Sequence, residues 1–284
     1  MKKVLLGLLG AGIQASSSPS LYEREAAAQG IHCFYQLIDL KAQKLGIDAI
    51  PELLTAAERM GFAGLNITHP CKQVVLPLLT DISQEAQEIG AINGIVFRDG
   101  KRIGFNTDWI GFFNSFKHGL PKVRLKRVVQ IGAGGAGAAT AYALLKLGAE
   151  HISLIDKDAA KCDSLAADLN SMVGGKRVSR ASGLEVELQH SDGILNASPV
   201  GMYGFPGTAV PTEFLSSHQW VADIVYFPRE TELLRLARAA GCRTLDGTGM
   251  VVHQAIAAYE RFFGVPPDVD RMFGYFEGYD ERGR

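Results

Sequence analysis

The chain has 284 residues, enough for about two domains, and 47% of them are hydrophobic, enough for sizeable cores. A formal net charge of −1 gives no sign of a protein built on charge to hold nucleic acid or an anionic membrane surface. Cys33, Cys71, Cys162 and Cys242 lie far apart with no zinc or CxxC spacing, so we read reduced thiols of a cytoplasmic protein and expect no metal site.

The N-terminal run admits two readings. Lys2-Lys3 followed by apolar residues has the outline of a secretory signal. The run is short and the residues beyond it look functional, so a buried parallel strand over residues 4–9, turning at Gly10 and Gly12, is preferred. A helix over 19–29, a strand over 32–39, a helix over 51–60, a strand over 64–68, a helix over 72–79 and a short helix over 83–88 follow. Residues 95–98 and 101–105 flank Asp99-Gly100 and read as a hairpin. This alternation predicts a mainly parallel sheet covered by helices. A helix over 108–116 leaves the domain, and residues 119–121 read as a linker. No stretch approaches the roughly 20 apolar residues of a membrane span.

A second domain begins near Lys126. Its apolar strand runs into Gly132-x-Gly134-x-x-Gly137 and then a helix over 138–147. Gly132 permits a tight turn, Gly134 lets the backbone approach a pyrophosphate, and Gly137 lets helix and strand pack closely. The helix N-terminus offers free N–H groups and a positive dipole end to phosphates. The next strand, over 152–156, ends in Asp156, where a carboxylate accepts from an adenosine ribose. A helix over 159–172, strands over 193–196 and 220–225 and a helix over 231–240 complete a Rossmann pattern, and a strong helix over 251–263 is expected to return to the first domain.

Polar clusters sit at strand ends, where ligands bind in open α/β sheets. Ser16 and Ser18 precede a Pro19-initiated helix, either as carboxylate ligands or as simple caps. Strand alternation sends Asn66 and Thr68 to one side, with Lys72 just beyond at a helix start. A lysine there opposes the helix dipole, which points to function; a solvated surface lysine is the plain alternative. Asn93, Asn106 and Asp108 follow, the last either an N-cap or the partner of Lys72 in an acid–base pair. The set suits a small, hydroxyl-rich, anionic substrate facing a nicotinamide.

Along nearly its whole length the chain resembles the shikimate dehydrogenase family. The resemblance rests on Ser16-x-Ser18-Pro19, Asn66-Ile-Thr-x-Pro-x-Lys72, Gly90-Ala-Ile-Asn93, Gly104-x-Asn-Thr-Asp108 and Gly132-Ala-Gly-Gly-Ala136. It continues in Asn196-Ala-x-Pro-x-Gly201-Met202, Asp223-x-Val-Tyr226-x-Pro228 and Gly247-x-x-Met250-x-x-x-Gln254. Within the family, Gly64-Leu-Asn-Ile-Thr-His-Pro, Lys72-Gln-x-Val-Leu-Pro-Leu-Leu79 and Thr244-Leu-Asp-Gly-Thr-x-Met250 resemble the NAD-using quinate/shikimate dehydrogenases. The resemblance implies that Ser16 and Ser18 hold the substrate carboxylate. Thr68, Asn93, Gln254 and Tyr226 would meet the rest of the ring acid. Lys72 would remove the hydroxyl proton, as base or proton relay, and Asp108 would orient and polarise the pair. Gly132, Ala133, Gly134, Gly135, Ala136, Asp156, Lys161, Asn196, Met202, Val225, Gly249 and Met250 would surround the dinucleotide.

NADP-using members carry an Asn-Arg-Thr/Ser pattern after the second cofactor-domain strand. This chain has Asp156-Lys157-Asp158, whose first carboxylate would repel a 2′-phosphate, so NAD is expected over NADP. Three departures touch the substrate side: Ala15 replaces the family's histidine, Tyr22-Glu23 its His-Asn, and Gly94 its threonine. Gly94 is expected to leave room for a bulkier ring such as quinate, or to weaken turnover of shikimate. The resulting expectation is an α/β protein with a cleft between two domains. The substrate domain spans residues 1–108, joined by C-terminal helices over about 250–284, and the NAD-binding Rossmann domain spans 109–249. Its partner is a small cyclic hydroxy acid, with no nucleic acid and no membrane, in a monomer or homodimer. The alternatives are a dehydrogenase for an aminoshikimate-like polyol acid, or a non-catalytic NAD-sensing relative.

Overall fold

The signal-like N-terminal run forms β1 (Lys3–Gly10), whose last residues are buried on both faces. That burial follows from its place inside a sheet with helices on each side. The computed structural model describes residues 2–280. The chain divides into two units, Met1–Thr107 with Gln254–Arg284, and Asp108–His253.

In the first unit β1 is followed by α1 (Ser18–Ala28), β2 (His32–Asp39), α2 (Ile50–Arg59), β3 (Gly64–Ile67), α3 (Cys71–Val74), β4 (Asp81–Ile82), α4 (Gln84–Ile89), β5 (Gly94–Arg98) and β6 (Lys101–Phe105). The sheet order is β2-β1-β3-β5-β6-β4. β1 lies parallel to β2 and β3, whereas β5 runs antiparallel to β3 and β6. The β5–β6 turn uses Asp99 at φ 52 and Gly100 at φ 70, the paired positive angles that suit a two-residue hairpin. α2 buries Ile50, Leu54 and Ala57, one stripe at helical spacing, against the core beneath β1 and β3.

The helix expected over 72–79 is broken: four residues of α3 give way to a tighter turn at Leu76–Leu78. Pro77 lacks an N–H and disfavours helical geometry at the residue before it. The two substitutions at Tyr22-Glu23 serve the fold. Tyr22 is fully buried and packs 5.1 Å from Tyr35, while Glu23 Oε1 accepts from the Tyr35 N–H at 2.8 Å on the sheet's edge strand.

The second unit starts with α5 (Asp108–Gly119) and continues through β7 (Arg127–Ile131), α6 (Gly135–Lys146), β8 (His151–Ile155), α7 (Ala159–Val173), β9 (Val178–Arg180), α8 (Leu184–Gln189), β10 (Gly193–Asn196), β11 (Trp220–Asp223), α9 (Glu232–Ala239) and β12 (Arg243–Leu245). Its sheet is parallel throughout, in the order β12-β11-β10-β7-β8-β9. The order reverses between β7 and β10, the switch point where doubly wound sheets bind ligands. This is the Rossmann arrangement expected from the sequence.

α10 (Thr248–Phe263) and α11 (Val269–Asp280) close the chain. Within the first unit α11 is fastened to α1 by a buried charge: Glu25 is 0% exposed and accepts from Arg271 Nη2 at 2.8 Å and Nε at 3.0 Å. No helix among the described residues is long and apolar enough to cross a membrane.

Candidate active site

Strand direction gathers the polar residues of the first unit. β1, β3 and β6 end, and β5 begins, at the same edge of the sheet. Ser16 lies in the loop after β1 and Ser18 opens α1, Thr68 follows β3 and Lys72 lies in α3, and Asn93 stands just before β5. Backbone hydrogen bonds tie these loops together. Ile67 N donates to Asn93 O at 2.8 Å, Ile92 N to Lys72 O at 2.8 Å, and Ala11 N to His69 O at 2.9 Å. Asn93 is buried and trades two bonds with Thr107: its Nδ2 donates to Thr107 Oγ1 at 2.9 Å, and its Oδ1 accepts from Thr107 N at 2.7 Å. Asn106 Nδ2 donates to Ala91 O at 2.9 Å, so its side chain supports the Asn93 loop. Asp108, buried, is the first residue of α5, and Gln254 lies within α10.

The serines are not ordinary caps. Ser17 holds the N-cap position of α1 and makes no side-chain cap bond. Ser16 Oγ instead accepts from Ser18 N at 3.2 Å and lies 3.2 Å from Ser18 Oγ. Tyr35, buried beneath them, bonds through its hydroxyl to Ser18 and accepts from Asn66 Nδ2 at 2.7 Å. Burial pushes the Tyr35 hydroxyl well above the usual tyrosine range. Asn66 Oδ1 is buried without a hydrogen-bond partner among the described residues. Such an acceptor costs free energy unless something supplies a donor.

Sequence reasoning missed Asp39. At the end of β2 its carboxylate accepts from Gly12 N at 2.8 Å, Ile13 N at 3.0 Å and Gln14 Nε2 at 3.0 Å, and from Lys41 N at 2.9 Å. Burial alone would raise its pKa. The hydrogen bonds from Gln14 and the backbone outweigh that and hold it down at about 2. One side chain thereby anchors the loop that presents Ser16.

Gly94 does not open the site. A Cβ there would stand 2.2 Å from Phe105 Cζ and 2.3 Å from Cε2. Gly94 and Phe105 are cross-strand partners, and the phenylalanine ring fills the volume that a side chain would take. The expectation of extra room for a bulkier ring is therefore corrected: the space is used inside the fold.

In the second unit Gly132 has φ +102 and Gly134 has nothing within 4 Å of its missing side chain, so the backbone there lies open. Gly137 could carry no Cβ, which would meet Gly132 O at 2.2 Å. Gly135 and Ala136 begin α6, a twelve-residue helix whose N-terminus faces this turn. A bare turn, open N–H groups and a helix dipole fit a pyrophosphate. Asp156 follows β8, its Oδ2 accepting from Ala133 N at 2.8 Å and its Oδ1 from Asp158 N at 3.0 Å. Each oxygen keeps a lone pair for a ribose hydroxyl. Lys161 is exposed on α7.

The remaining cofactor candidates fall at the end of β10, on the loops after β10 and β11, and at the start of α10. Asn196 is fully buried, and the protein occupies its side chain: Nδ2 donates to Asp223 Oδ1 at 2.9 Å and Val200 O at 2.9 Å, and Oδ1 accepts from Ser198 N at 3.0 Å. Asp223 also accepts from Val225 N at 3.0 Å and Thr231 Oγ1 at 2.8 Å. Its burial outweighs these bonds and pushes its pKa up to about 6. The Asn196–Asp223 pair thus fixes the loops that carry Met202 and Tyr226, each 38% exposed. Val225 and Met250 are buried, and Gly249 packs against Ser115 of α5.

The comparisons agree with this layout. Residues 8–95 match the shikimate dehydrogenase substrate binding domain, and residues 247–272 match the shikimate 5'-dehydrogenase C-terminal domain. A shikimate dehydrogenase (NADP(+)) of Streptomyces avermitilis is 50% identical over 270 residues, 94% of this chain and 93% of that protein. A quinate/shikimate dehydrogenase (NAD(+)) of Corynebacterium efficiens is 46% identical over 276 residues, 96% of this chain and 97% of that protein. The solved structure of quinate dehydrogenase from Corynebacterium glutamicum in complex with NAD superposes with a TM-score of 0.91 at 44% identity, covering 98% of this chain and 100% of that one. On this similarity, which runs through both units, the chain belongs to the shikimate dehydrogenase family.

Proposed function

We propose that this protein catalyses reversible oxidation of the ring hydroxyl of shikimate, quinate or both to the 3-dehydro ketone, with NAD as its dinucleotide. The reading is carried by one observation: Ser16, Ser18, Thr68, Lys72 and Asn93 meet at one sheet edge in a chain of this family. Ser16 and Ser18 donate to the ring acid's carboxylate. Asn66 Nδ2 donates to the Tyr35 hydroxyl, and Asn66 Oδ1 serves as an acceptor for a ring hydroxyl. Thr68, Asn93, Gln254 and Tyr226 complete the substrate contacts. Lys72 receives the proton of the reacting hydroxyl, and Asp108 orients and polarises that exchange. When bound, the dinucleotide supplies the acceptor for the hydride that leaves the same carbon.

The choice of NAD rests on Asp156. Its carboxylate can accept from the ribose hydroxyls, and its charge opposes a 2′-phosphate. Curated relatives carry both NAD(+) and NADP(+) names, so this residue carries the assignment. The aminoshikimate-like alternative drew on Gly94, whose space Phe105 fills, and no other observation favours it.

The test is to mix purified protein with shikimate or quinate, each with NAD⁺ or NADP⁺, and follow absorbance of the reduced dinucleotide. NADH formation with either acid is the expected result. Silence in all four mixtures would overturn the substrate assignment. Lys72→Ala should then lower kcat by about 10²- to 10⁴-fold, the usual weight of a general base, while the ring acid still binds.

A further inference from the structure

Gln130 is an amide among the buried apolar residues of β7, Val128, Val129 and Ile131. It is 0% exposed between Val129 and Ile131 of β7, directly before the glycine turn. Its Nε2 donates to Gly132 O at 2.9 Å and to Gly137 O at 2.8 Å. Two carbonyl oxygens can be met only by a donor, so the amide has one workable orientation. Its Oε1 then faces Thr140, whose hydroxyl donates to it at 3.0 Å. Gly137 is part of the same arrangement, because a Cβ there would lie 3.2 Å from Gln130 Nε2.

The Gly132 carbonyl shares a peptide plane with the Ala133 N–H, and the two point in opposite directions. That N–H donates to Asp156 Oδ2 at 2.8 Å. Gln130 and Asp156 therefore grip the two ends of one peptide group. We propose that Gln130 is a positioning residue for the dinucleotide site: its amide bridges the two outer glycines and, through the Gly132–Ala133 peptide, fixes the rotamer of Asp156. This rests on the reading that the glycine turn holds a dinucleotide. Gln130 touches no ligand. Its contribution is to have the turn and the ribose-binding carboxylate in place before the dinucleotide arrives, which lowers the cost of ordering on binding.

Two variants test it. Gln130→Leu keeps the bulk and removes the donors. Gln130→Glu keeps the shape and sets acceptor oxygens against the two carbonyls. Dissociation constants for NAD and NADP would be measured by calorimetry, beside kcat and the KM of the ring acid. The expected result is an NAD dissociation constant raised about tenfold in both variants, the loss of one to two hydrogen bonds' worth of organisation. The preference for NAD over NADP falls, and kcat at saturating NAD and the ring-acid KM are unchanged. Gln130→Glu recovers part of its affinity as pH is lowered, because a protonated carboxyl regains a donor. Wild-type affinity and dinucleotide preference in Gln130→Leu would overturn the proposal. So would an equal loss in kcat, both KM values and melting temperature, which would mark a general folding role. Wild-type protein that binds neither dinucleotide would overturn the underlying reading of the turn, and the proposal with it.

Discussion

Substituting Gly94 by alanine should cost stability and leave substrate preference alone. The added Cβ would sit 2.2 Å from Phe105 Cζ, far inside contact distance. The ring is packed on two sides and would have to shift. Phe105 is 1% exposed, Phe262 packs 5.6 Å away edge-on, and the Arg261 guanidinium lies 5.0 Å from its centroid. Forcing extra atoms into such a space costs about 1–3 kcal/mol. Gly94 has no positive φ, so alanine returns about 0.4–1 kcal/mol by restricting the unfolded chain. The net expectation is a loss of about 1–2 kcal/mol, and more for Gly94→Thr, which adds two further heavy atoms. Urea denaturation followed by far-ultraviolet circular dichroism, which reports on both units, reads this, since both tryptophans, Trp109 and Trp220, lie in the other unit. Phe105→Ala alone should cost about 3–5 kcal/mol. In that background Gly94→Ala meets no ring and should be neutral or slightly stabilising, a coupling of about 1–3 kcal/mol between the two sites. A Gly94→Ala protein as stable as the parent, but with a changed ratio of quinate to shikimate turnover, would refute the reasoning and place Gly94 against the ligand.

Asp223 should make the protein more stable in mild acid than its neutral isostere predicts. Its folded-state pKa of about 6 lies above the ordinary 3.8, so the native state holds its proton where the unfolded chain has lost it. That contribution is complete below about pH 4 and is lost as pH rises through about 6. Unfolding free energies of Asp223→Asn and the parent should therefore diverge in favour of the variant between those values, by up to about 3 kcal/mol, and parallel curves would refute it. Asp39 has the opposite sign: its pKa is depressed to about 2, so its contribution is present above the ordinary 3.8 and fades as pH falls toward 2. Asp39→Asn should raise the ring-acid KM about tenfold by freeing the Ser16 loop and leave the NAD KM alone; equal changes in both would refute a local role. Asp156→Ala should narrow the ratio of NAD to NADP turnover, and an unchanged ratio would remove this residue from cofactor choice.

The glycine turn, the Asp99-Gly100 hairpin and most strands were legible because each is written in local sequence. So was the placement of Ser16, Ser18, Thr68, Lys72 and Asn93 at strand ends. β4, β9 and β12 were not, because two- or three-residue strands exist only by pairing with a neighbour. The break at Pro77 was readable in principle, but the apolar spacing around it suggested a continuous helix. Gly94 shows a deeper limit. A small residue beside a predicted ligand contact reads as open space, yet its occupant, Phe105, comes from another strand. Asp39 and Gln130 escaped notice for a related reason. Their partners are backbone groups, which carry no residue identity in the sequence.

The bond between Glu25 and Arg271 joins residues 246 positions apart, and the whole of Asp108–His253 lies between them in the chain. Synthesis from the N-terminus therefore delivers every residue of the dinucleotide-binding unit before the first unit has its last two helices. Until Arg271 emerges, Glu25 has no cation to justify its burial, and α1, which carries Ser18, lacks its outer partner. The nascent chain thus holds the whole sequence of its glycine-turn unit before α1 meets its last partner, so the unit that starts the chain is the last to be completed.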